Sequence, residues 1–303
     1  MYFDPEIVAQ NIQSFIQEKL DQYRRDGVIL GMSGGLDSAV TASLLTRAIG
    51  PDKVLALLLP ERDSSQDSKT DAMKEIKRLG IHHREVDLTP ILTEIGIYKL
   101  VPLHFLGTRQ IKKTVVRQQH QRQIEKLGEM PFLAGLLGTR DLENDQKIID
   151  AGNAYARVKH RIRMVILYYY AEMENRLVVG TTNKSEAMTG FVVKWGDNVA
   201  DIEPILPLYK TQVFQLATYL DVDQDIIEKA PSPDLIPGIV DEYALGIDYP
   251  TLDKILWGLD QGWDAAKVAD TYEVETAQVD HVRELIRRSE HTRQLPLYPK
   301  LNL

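Results

Sequence analysis

The chain has no cysteine among its 303 residues. This absence excludes disulfide bonds, cysteine-ligated zinc, iron–sulfur clusters held by cysteine and a cysteine nucleophile, including that of a cysteine-dependent glutaminase. Hydrophobic residues make up 44% of the sequence. A chain of this length and composition can therefore bury a sizeable core without a metal or a disulfide.

Long apolar runs and an excess of positive charge are also missing. No stretch approaches the ~18 consecutive apolar residues that a membrane-spanning helix needs. Residues 1–6 lack the basic start and apolar run of a signal peptide. The formal net charge of −8 disfavours general nucleic-acid binding. We therefore expect a cytoplasmic protein with no membrane and no nucleic acid among its partners.

Short apolar runs alternate with segments of helical spacing in the first hundred residues. Strands that are apolar on both faces and alternate with helices are typical of a parallel sheet covered by helices. The pattern predicts an α/β fold with helices on both faces of the sheet, a helical C-terminal part and one domain over residues 1–303. The predicted strands are 28–32, 54–59, 81–88 and 177–180, and the predicted helices before the second strand are 5–25 and 39–49.

Residues 100–150 break this alternation and form an insertion. The stretch 108–126 is basic and rich in glutamine. It could clamp an anionic ligand or a partner, or it could be a solvated helix face. Runs of charge are usually solvated, which favours the second interpretation. The basic side chains concerned are Arg109, Lys112, Lys113, Arg117 and Arg122.

A glycine-rich loop, Ser33-Gly34-Gly35-Leu36-Asp37-Ser38, joins the first predicted strand to a helix. Glycines let the backbone turn sharply and approach a ligand, and the free N–H groups of a helix start favour an anion. Asp37 would repel a phosphate unless a cation lay between them, and Mg²⁺ commonly binds one or two carboxylates together with phosphate oxygens. The loop has neither the Walker A pattern nor Gly-x-Gly-x-x-Gly. It predicts a phosphate site of an ATP-consuming enzyme, with a plain βα turn as the alternative.

The loop resembles the pyrophosphate loop of the N-type ATP pyrophosphatases. Members of that superfamily adenylate a substrate oxygen, release pyrophosphate and let a nucleophile displace AMP. A second block, residues 180–191 followed by 194–197 and Asp201, resembles the signature of NAD synthetases, and residues 289–296 are similar to that family's C-terminal motif. The resemblance covers residues 5–100 and 155–300. It implies an adenine nucleotide alpha hydrolase-like fold and a homodimer.

The activity implied by the resemblance is ATP-dependent amidation of deamido-NAD by ammonia, giving NAD, AMP and pyrophosphate through an adenylated intermediate. The implied catalytic residues are Asp37, Glu186 and Lys194, of which Asp37 and Glu186 hold Mg²⁺. The implied ATP-binding residues are Gly31, Ser33, Gly34, Gly35, Asp37, Ser38, Thr181, Lys210 and Ser232. The implied deamido-NAD-binding residues are Arg161, Lys194, Asp201, His291 and Thr292.

The sequence departs from the family at two places. The insertion at about 100–150 has no counterpart in the family's motifs, and Thr292 stands where the family usually has lysine. Because the chain has no cysteine, ammonia is the expected nitrogen donor. Whether a separate glutaminase supplies that ammonia is open.

Other interpretations of the same residues stay open. The loop also suits another N-type ATP pyrophosphatase, such as a tRNA-modifying or sulfur-transfer enzyme, although many of these rely on cysteines. Residues 264–288 have the rhythm of a helix-turn-helix, but acidic residues in and beside the supposed reading helix argue against base contacts. At single positions, Glu186 could simply begin a helix, and Lys210 could be a solvated lysine.

Overall fold

A four-stranded parallel sheet lies at the centre of the computed structural model, which describes residues 3–101, 109–137, 143–232 and 239–299. β1 lies between β2 and β4, and β3 pairs with the outer side of β2, so the strand order is β3-β2-β1-β4. Val28 of β1 is in register with Val54 of β2 and Leu177 of β4. The strands are β1 (Gly27–Gly31), β2 (Val54–Leu58), β3 (His82–Glu85) and β4 (Arg176–Val179).

Helices cover both faces of this sheet, so the predicted fold class is confirmed. The helices are α1 (Pro5–Gln22), α2 (Leu36–Ile49), α3 (Gln66–Leu79), α4 (Thr89–Ile95), α5 (Arg109–Leu127), α6 (Pro131–Leu137), α7 (Glu143–Met173), α8 (Lys184–Thr189), α9 (Lys210–Tyr219), α10 (Gln224–Glu228), α11 (Asp241–Leu245), α12 (Tyr249–Asp260), α13 (Ala265–Tyr272) and α14 (Thr276–Arg293).

The two faces of β1 enter different hydrophobic clusters, because successive side chains of a strand point to opposite sides. Val28 and Leu30 pack in the cluster that includes Ile16 of α1 and Leu44 of α2. Ile29, on the other face, packs in the cluster that holds side chains of α4 and α7. The sheet is therefore the middle layer of a three-layer arrangement.

The C-terminal helices build a third cluster. Leu252 of α12, Val268 of α13 and Leu285 of α14 are buried in it. The segment with helix-turn-helix rhythm thus forms two helices whose apolar side chains pack into the protein. Within the described part of the chain, no helix is both long enough and apolar enough to cross a membrane.

Several element boundaries differ from the sequence-based predictions, including the end of α1, which comes at Gln22 and not at residue 25. β3 covers only His82–Glu85, and all four of its residues are exposed. Among the described residues it is the edge strand of the sheet. α2 begins at Leu36, three residues before the predicted start. Asp37 and Ser38 therefore belong to the first turn of the helix.

Buried ionic contacts connect α7 to the loop that follows β2. Lys159 Nζ lies 2.9 Å from Glu61 Oε1, and both side chains are fully buried. Tyr155 OH donates a hydrogen bond of 2.6 Å to Asp63. Burial lowers the pKa of Lys159, although Glu61 opposes that shift. Buried charges are tolerated only when they are paired and hydrogen-bonded, so these contacts fix α7 against the loop.

Candidate active site

The phosphate loop lies at the carboxyl ends of the parallel strands, where open α/β sheets commonly bind ligands. It opens onto a cavity of about 490 Å³ whose wall also includes residues of β2, α3, α7, α8 and α9. Every residue predicted to bind ATP or Mg²⁺ lines this cavity. Their roles stay predictions, but the structure brings all of them to one place.

Gly34 allows the loop to pack against the start of α3. Its φ of +76° lies in the left-handed region, which side chains other than glycine rarely adopt. A Cβ at this position would overlap the backbone carbonyl oxygen of Ser68. Position 34 therefore requires glycine for two independent reasons.

The hydroxyl groups of the loop are bonded to the loop itself. Ser38 Oγ donates to the carbonyl of Gly35 at 2.9 Å, and the two seryl oxygens of Ser33 and Ser38 lie 3.1 Å apart. Gly35 precedes the first turn of α2, and no side chain caps that turn. The first N–H groups of a helix have no partner within the helix, so they are suited to an anion.

Lys210, the first residue of α9, is buried between two carboxylates. It is only 2% exposed, so its interpretation as a solvated lysine is wrong. Its ammonium forms an ion pair with Asp37 and lies 3.6 Å from Glu186 Oε1. Asn183 adds a hydrogen bond of 3.1 Å from Nδ2 to Asp37 Oδ1. Glu186 also belongs to the capping box of α8, so it both begins a helix and faces the cavity.

Lys210 and the carboxylates around it shift one another's pKa values. Burial opposes the charge on Lys210, yet Asp37, Glu186 and Asp241 together raise the pKa of the ammonium. Burial and the neighbouring Asp37 raise the pKa of Glu186 well above its usual value, against the effect of Lys210. The surrounding carboxylates thus favour the charged form of Lys210, whereas burial and Asp37 disfavour the charged form of Glu186.

Asp241, the first residue of α11, is a fourth member of this group that the sequence did not single out. It is 4% exposed and lines the cavity. Tyr249 OH donates a hydrogen bond of 2.9 Å to its Oδ2. Its Oδ1 has no hydrogen-bond partner among the described residues. Burial raises the pKa of Asp241 to about 6, although Lys210 acts in the opposite direction.

The residues predicted to bind deamido-NAD lie outside this cavity. Lys194 Nζ donates to the backbone carbonyl of His291 at 2.7 Å, and Arg161 donates to the carbonyl of Lys194 at 3.3 Å. These contacts bring the loop after α8, the middle of α7 and the end of α14 together. The hydroxyl of Thr292 is buried and donates to Ser289 within α14 at 2.7 Å. Asp201 instead accepts from the backbone N–H of Val178 in β4 at 2.8 Å.

A family model for NAD synthase matches residues 8–101 and 136–296. The chain belongs to the NAD synthase family. Its relatives include an NH(3)-dependent NAD(+) synthetase of Thermotoga maritima, 44% identical over 292 residues that cover 96% of this chain and 98% of the relative. Another, of Methanocaldococcus jannaschii, is 36% identical over 296 residues and covers 98% of this chain and 97% of the relative.

Solved structures agree with this assignment. The NMN synthetase of Francisella tularensis is similar with a TM-score of 0.72 and 29% identity, covering 99% of this chain and all of that one. The NH3-dependent NAD synthetase of Campylobacter jejuni has a TM-score of 0.69 at 23% identity, covering 99% of this chain and all of that one, and supports the fold. The family predicted from the motifs is thus confirmed.

The NAD synthase model does not match residues 102–135, which lie in the predicted insertion. Helix α5 falls in this gap. The structure nevertheless places Lys113 and Arg117 of α5 in the wall of the cavity, together with His160 and Arg163 of α7. The sequence-based analysis favoured a solvated face for the run that contains Lys113 and Arg117, and it did not single out His160 or Arg163.

We expect Gly34→Ala to weaken ATP binding by about tenfold or more, because the new Cβ would displace the loop from α3 and misplace its N–H groups. Isothermal titration with ATP measures the effect. Gly80→Ala is the matched control, since Gly80 also has a positive φ but nothing lies within 4 Å of its Cβ position. It should cost about 1–2 kcal/mol of stability and leave ATP binding intact. Equal affinities of the two variants would contradict this account of the loop.

We expect Asp241→Asn to change how stability depends on pH in protein free of nucleotide and divalent cations. The folded pKa of about 6 exceeds the unfolded value of about 3.9. The folded state therefore binds more protons between these values, and the wild type loses stability as pH rises through them. The variant lacks this loss, so its free energy of unfolding should rise by up to about 3 kcal/mol relative to that of the wild type as the pH increases. Urea unfolding between about pH 4 and pH 7 measures the difference.

Asp270→Asn is the control for this measurement, because Asp270 is exposed on α13. Its free energy of unfolding should run parallel to that of the wild type over the same pH range. If the free energy of unfolding of Asp241→Asn also runs parallel to that of the wild type, the carboxyl of Asp241 lacks the raised pKa that its burial predicts.

Proposed function

We propose that this chain catalyses the ATP-dependent amidation of deamido-NAD by ammonia, with release of AMP and pyrophosphate. The observation that carries the proposal is the convergence of the phosphate loop, Asp37, Glu186 and Lys210 in one cavity of a chain in the NAD synthase family. The relatives at 33–44% identity are named NH(3)-dependent NAD(+) synthetases, which supports this activity over that of another N-type ATP pyrophosphatase.

The chemistry requires two anions to meet. The nicotinate carboxylate attacks the α-phosphorus of ATP, pyrophosphate leaves, and ammonia then attacks the acyl carbon of the adenylate and displaces AMP. Positioned positive groups stabilise the charge that develops in such a transfer. Lys210, whose ammonium the surrounding carboxylates keep protonated, and the uncapped start of α2 supply positive charge where the phosphates are proposed to bind.

The residues present fit a Mg²⁺ ion. Asp37 and Glu186 both lie within ion-pair distance of the same ammonium, and burial together with the neighbouring Asp37 raises the pKa of Glu186 despite Lys210. Among the described residues no cluster of three or more acidic or histidine ligands is arranged for a metal. Mg²⁺ suits this setting, since it commonly binds through one or two carboxylates with phosphate oxygens and water. We propose that Asp37 and Glu186 hold the ion, which would neutralise phosphate charge when bound.

We expect purified protein to convert deamido-NAD, ATP and ammonium into NAD, AMP and pyrophosphate in the presence of Mg²⁺. Asp37→Asn and Glu186→Gln should each lower kcat by about a hundredfold or more, because each removes charge placed for the transfer. Asp52→Asn is the control, since that side chain is 96% exposed. Chromatographic separation of the nucleotides measures both products. A wild-type chain that forms no NAD and no AMP would refute the proposal.

The acid of NMN is the competing substrate to include, because a solved relative at 29% identity is an NMN synthetase. The assay therefore runs in parallel with nicotinate mononucleotide. A higher kcat/KM for the mononucleotide would overturn the proposed substrate while leaving the amidation chemistry in place.

The dinucleotide is proposed to contact Arg161, Lys194, Asp201, His291 and Thr292, as the resemblance implies. The proposed homodimer has support from the outer face of α7. Val165, Tyr169 and Met173 lie four residues apart on one helix face and are 59%, 54% and 63% exposed. Exposed apolar stripes of this kind commonly mark interaction surfaces.

We expect light scattering to report twice the 34.4 kDa of one chain. Val165→Glu/Met173→Glu should shift the protein toward the monomer, since both new charges would be buried at the interface. Ile7→Glu on α1, at a site that is 53% exposed, is the control and should leave the mass unchanged. A wild-type protein that scatters as a monomer would remove the dimer from the proposal.

A further inference from the structure

Helix α5 lies outside the residues that the NAD synthase family model matches, yet it reaches the nucleotide cavity. The family model does not match residues 102–135, and α5 spans Arg109–Leu127 within that gap. Lys113 and Arg117 nevertheless form part of the wall that also contains the phosphate loop. The family's own motifs therefore do not account for these two cations.

One stripe of α5 docks the helix onto the protein at three successive turns. Lys112 Nζ lies 3.4 Å from Asp63 Oδ1, Val116 packs against the cluster beneath the sheet, and the ring of His120 lies 4.7 Å from that of Tyr243 on α11. These residues are four apart, so they occupy one face of the helix. The distance they span along the axis is about 12 Å.

The partners of this stripe adjoin two different parts of the cavity wall, since Asp63 precedes Ser64 and Tyr243 follows Asp241. Asp63 belongs to the loop after β2 and is itself fixed by the hydrogen bond from Tyr155, while Tyr243 lies two residues after Asp241. Helix α5 therefore bridges the loop after β2 and α11. Lys113 and Arg117 follow Lys112 and Val116 by one position, about 100° around the helix, and line the cavity.

Other lysines of the cavity wall are already paired with carboxylates of the protein. Lys210 pairs with Asp37, Lys69 lies 2.7 Å from Glu85, and Lys229 lies 2.9 Å from Asp71. Lys113 has no ion pair with any other residue of the described ranges. A cation at the edge of a phosphate site without a carboxylate partner is suited to an anionic ligand.

We propose that α5 covers the nucleotide cavity and that Lys113 and Arg117 bind the phosphate groups of the bound nucleotide. This inference rests on the proposed function, in which both ATP and the dinucleotide carry phosphates. ATP is the expected source, because the cavity holds the phosphate loop and the predicted dinucleotide residues lie outside it.

The test measures binding without turnover. Lys113→Gln/Arg117→Gln should weaken ATP binding by about tenfold or more in isothermal titration, because two charge-assisted hydrogen bonds are lost. Lys113→Arg/Arg117→Lys keeps both charges and should retain most of the affinity. Arg122→Gln is the matched control, since Arg122 is an exposed cation of the same helix outside the cavity wall, and it should change affinity by less than about twofold.

The same titration with deamido-NAD distinguishes the source of the phosphates. Weakened binding of ATP alone supports the inference with ATP as the ligand, and weakened binding of the dinucleotide alone supports it with the other nucleotide. Unchanged binding of both would overturn it, and so would an equal loss in Arg122→Gln. The two single variants, each with its melting temperature checked against wild type, replace the double variant if that protein does not fold.

The binding experiment and the activity assay test different proposals, so either proposal can fail without the other. A chain that forms no NAD but loses ATP affinity in the double variant would refute the proposed function and leave the phosphate contact standing. A chain that forms NAD with unchanged KM values in the double variant would refute the phosphate contact alone.

Discussion

The burial of the Lys210 ammonium among carboxylates is the interaction on which the site depends. A buried charge is costly unless opposite charges and hydrogen bonds surround it, and the groups that satisfy Lys210 come from α2, α8 and α11. Asp37 and Lys210 are 173 positions apart in sequence. The ion pair therefore holds two distant parts of the chain in one arrangement, and removal of either partner would leave the other charge with less compensation.

The four charged residues all lie in the first turn of their helices, and all four line the same cavity. Asp37 is the second residue of α2, Glu186 the third of α8, and Lys210 and Asp241 are the first residues of α9 and α11. Helix N-termini carry partial positive charge, so the carboxylates there are favourably placed, whereas a lysine is not. Lys210 is tolerated because three carboxylates outweigh that penalty. The start of α2, which no side chain caps, adds backbone N–H groups that favour an anion.

Sequence patterns predicted the elements whose signal is local. The apolar runs of β1 and β2 and the Gly50-Pro51 end of α2 identify these elements without any knowledge of their neighbours. β3 was predicted too long because its position at the edge of the sheet, and hence its exposure, follows from topology.

Tertiary contacts decide the features that the patterns could not predict. The burial of Lys210 and the presence of Asp241 at the cavity depend on which helices meet. Residue spacing does not predict such contacts, because the residues that meet are separated by many positions in the sequence.

The composition of helix α5 did not predict that the helix docks beside the cavity. Most of its side chains are polar or charged, which is typical of a solvated surface, and its docking rests on Lys112, Val116 and His120. Val116 of α5 packs against one of the hydrophobic clusters, whereas α2 and α7 each place several apolar side chains in the clusters on either face of the sheet. Any anion bound between Lys113, Arg117 and the phosphate loop would stabilise the docked helix by the same free energy that the docked helix contributes to binding, because such coupling is reciprocal. The insertion would then be ordered most firmly when the nucleotide is in place, which is also when water must be kept from a reactive adenylate.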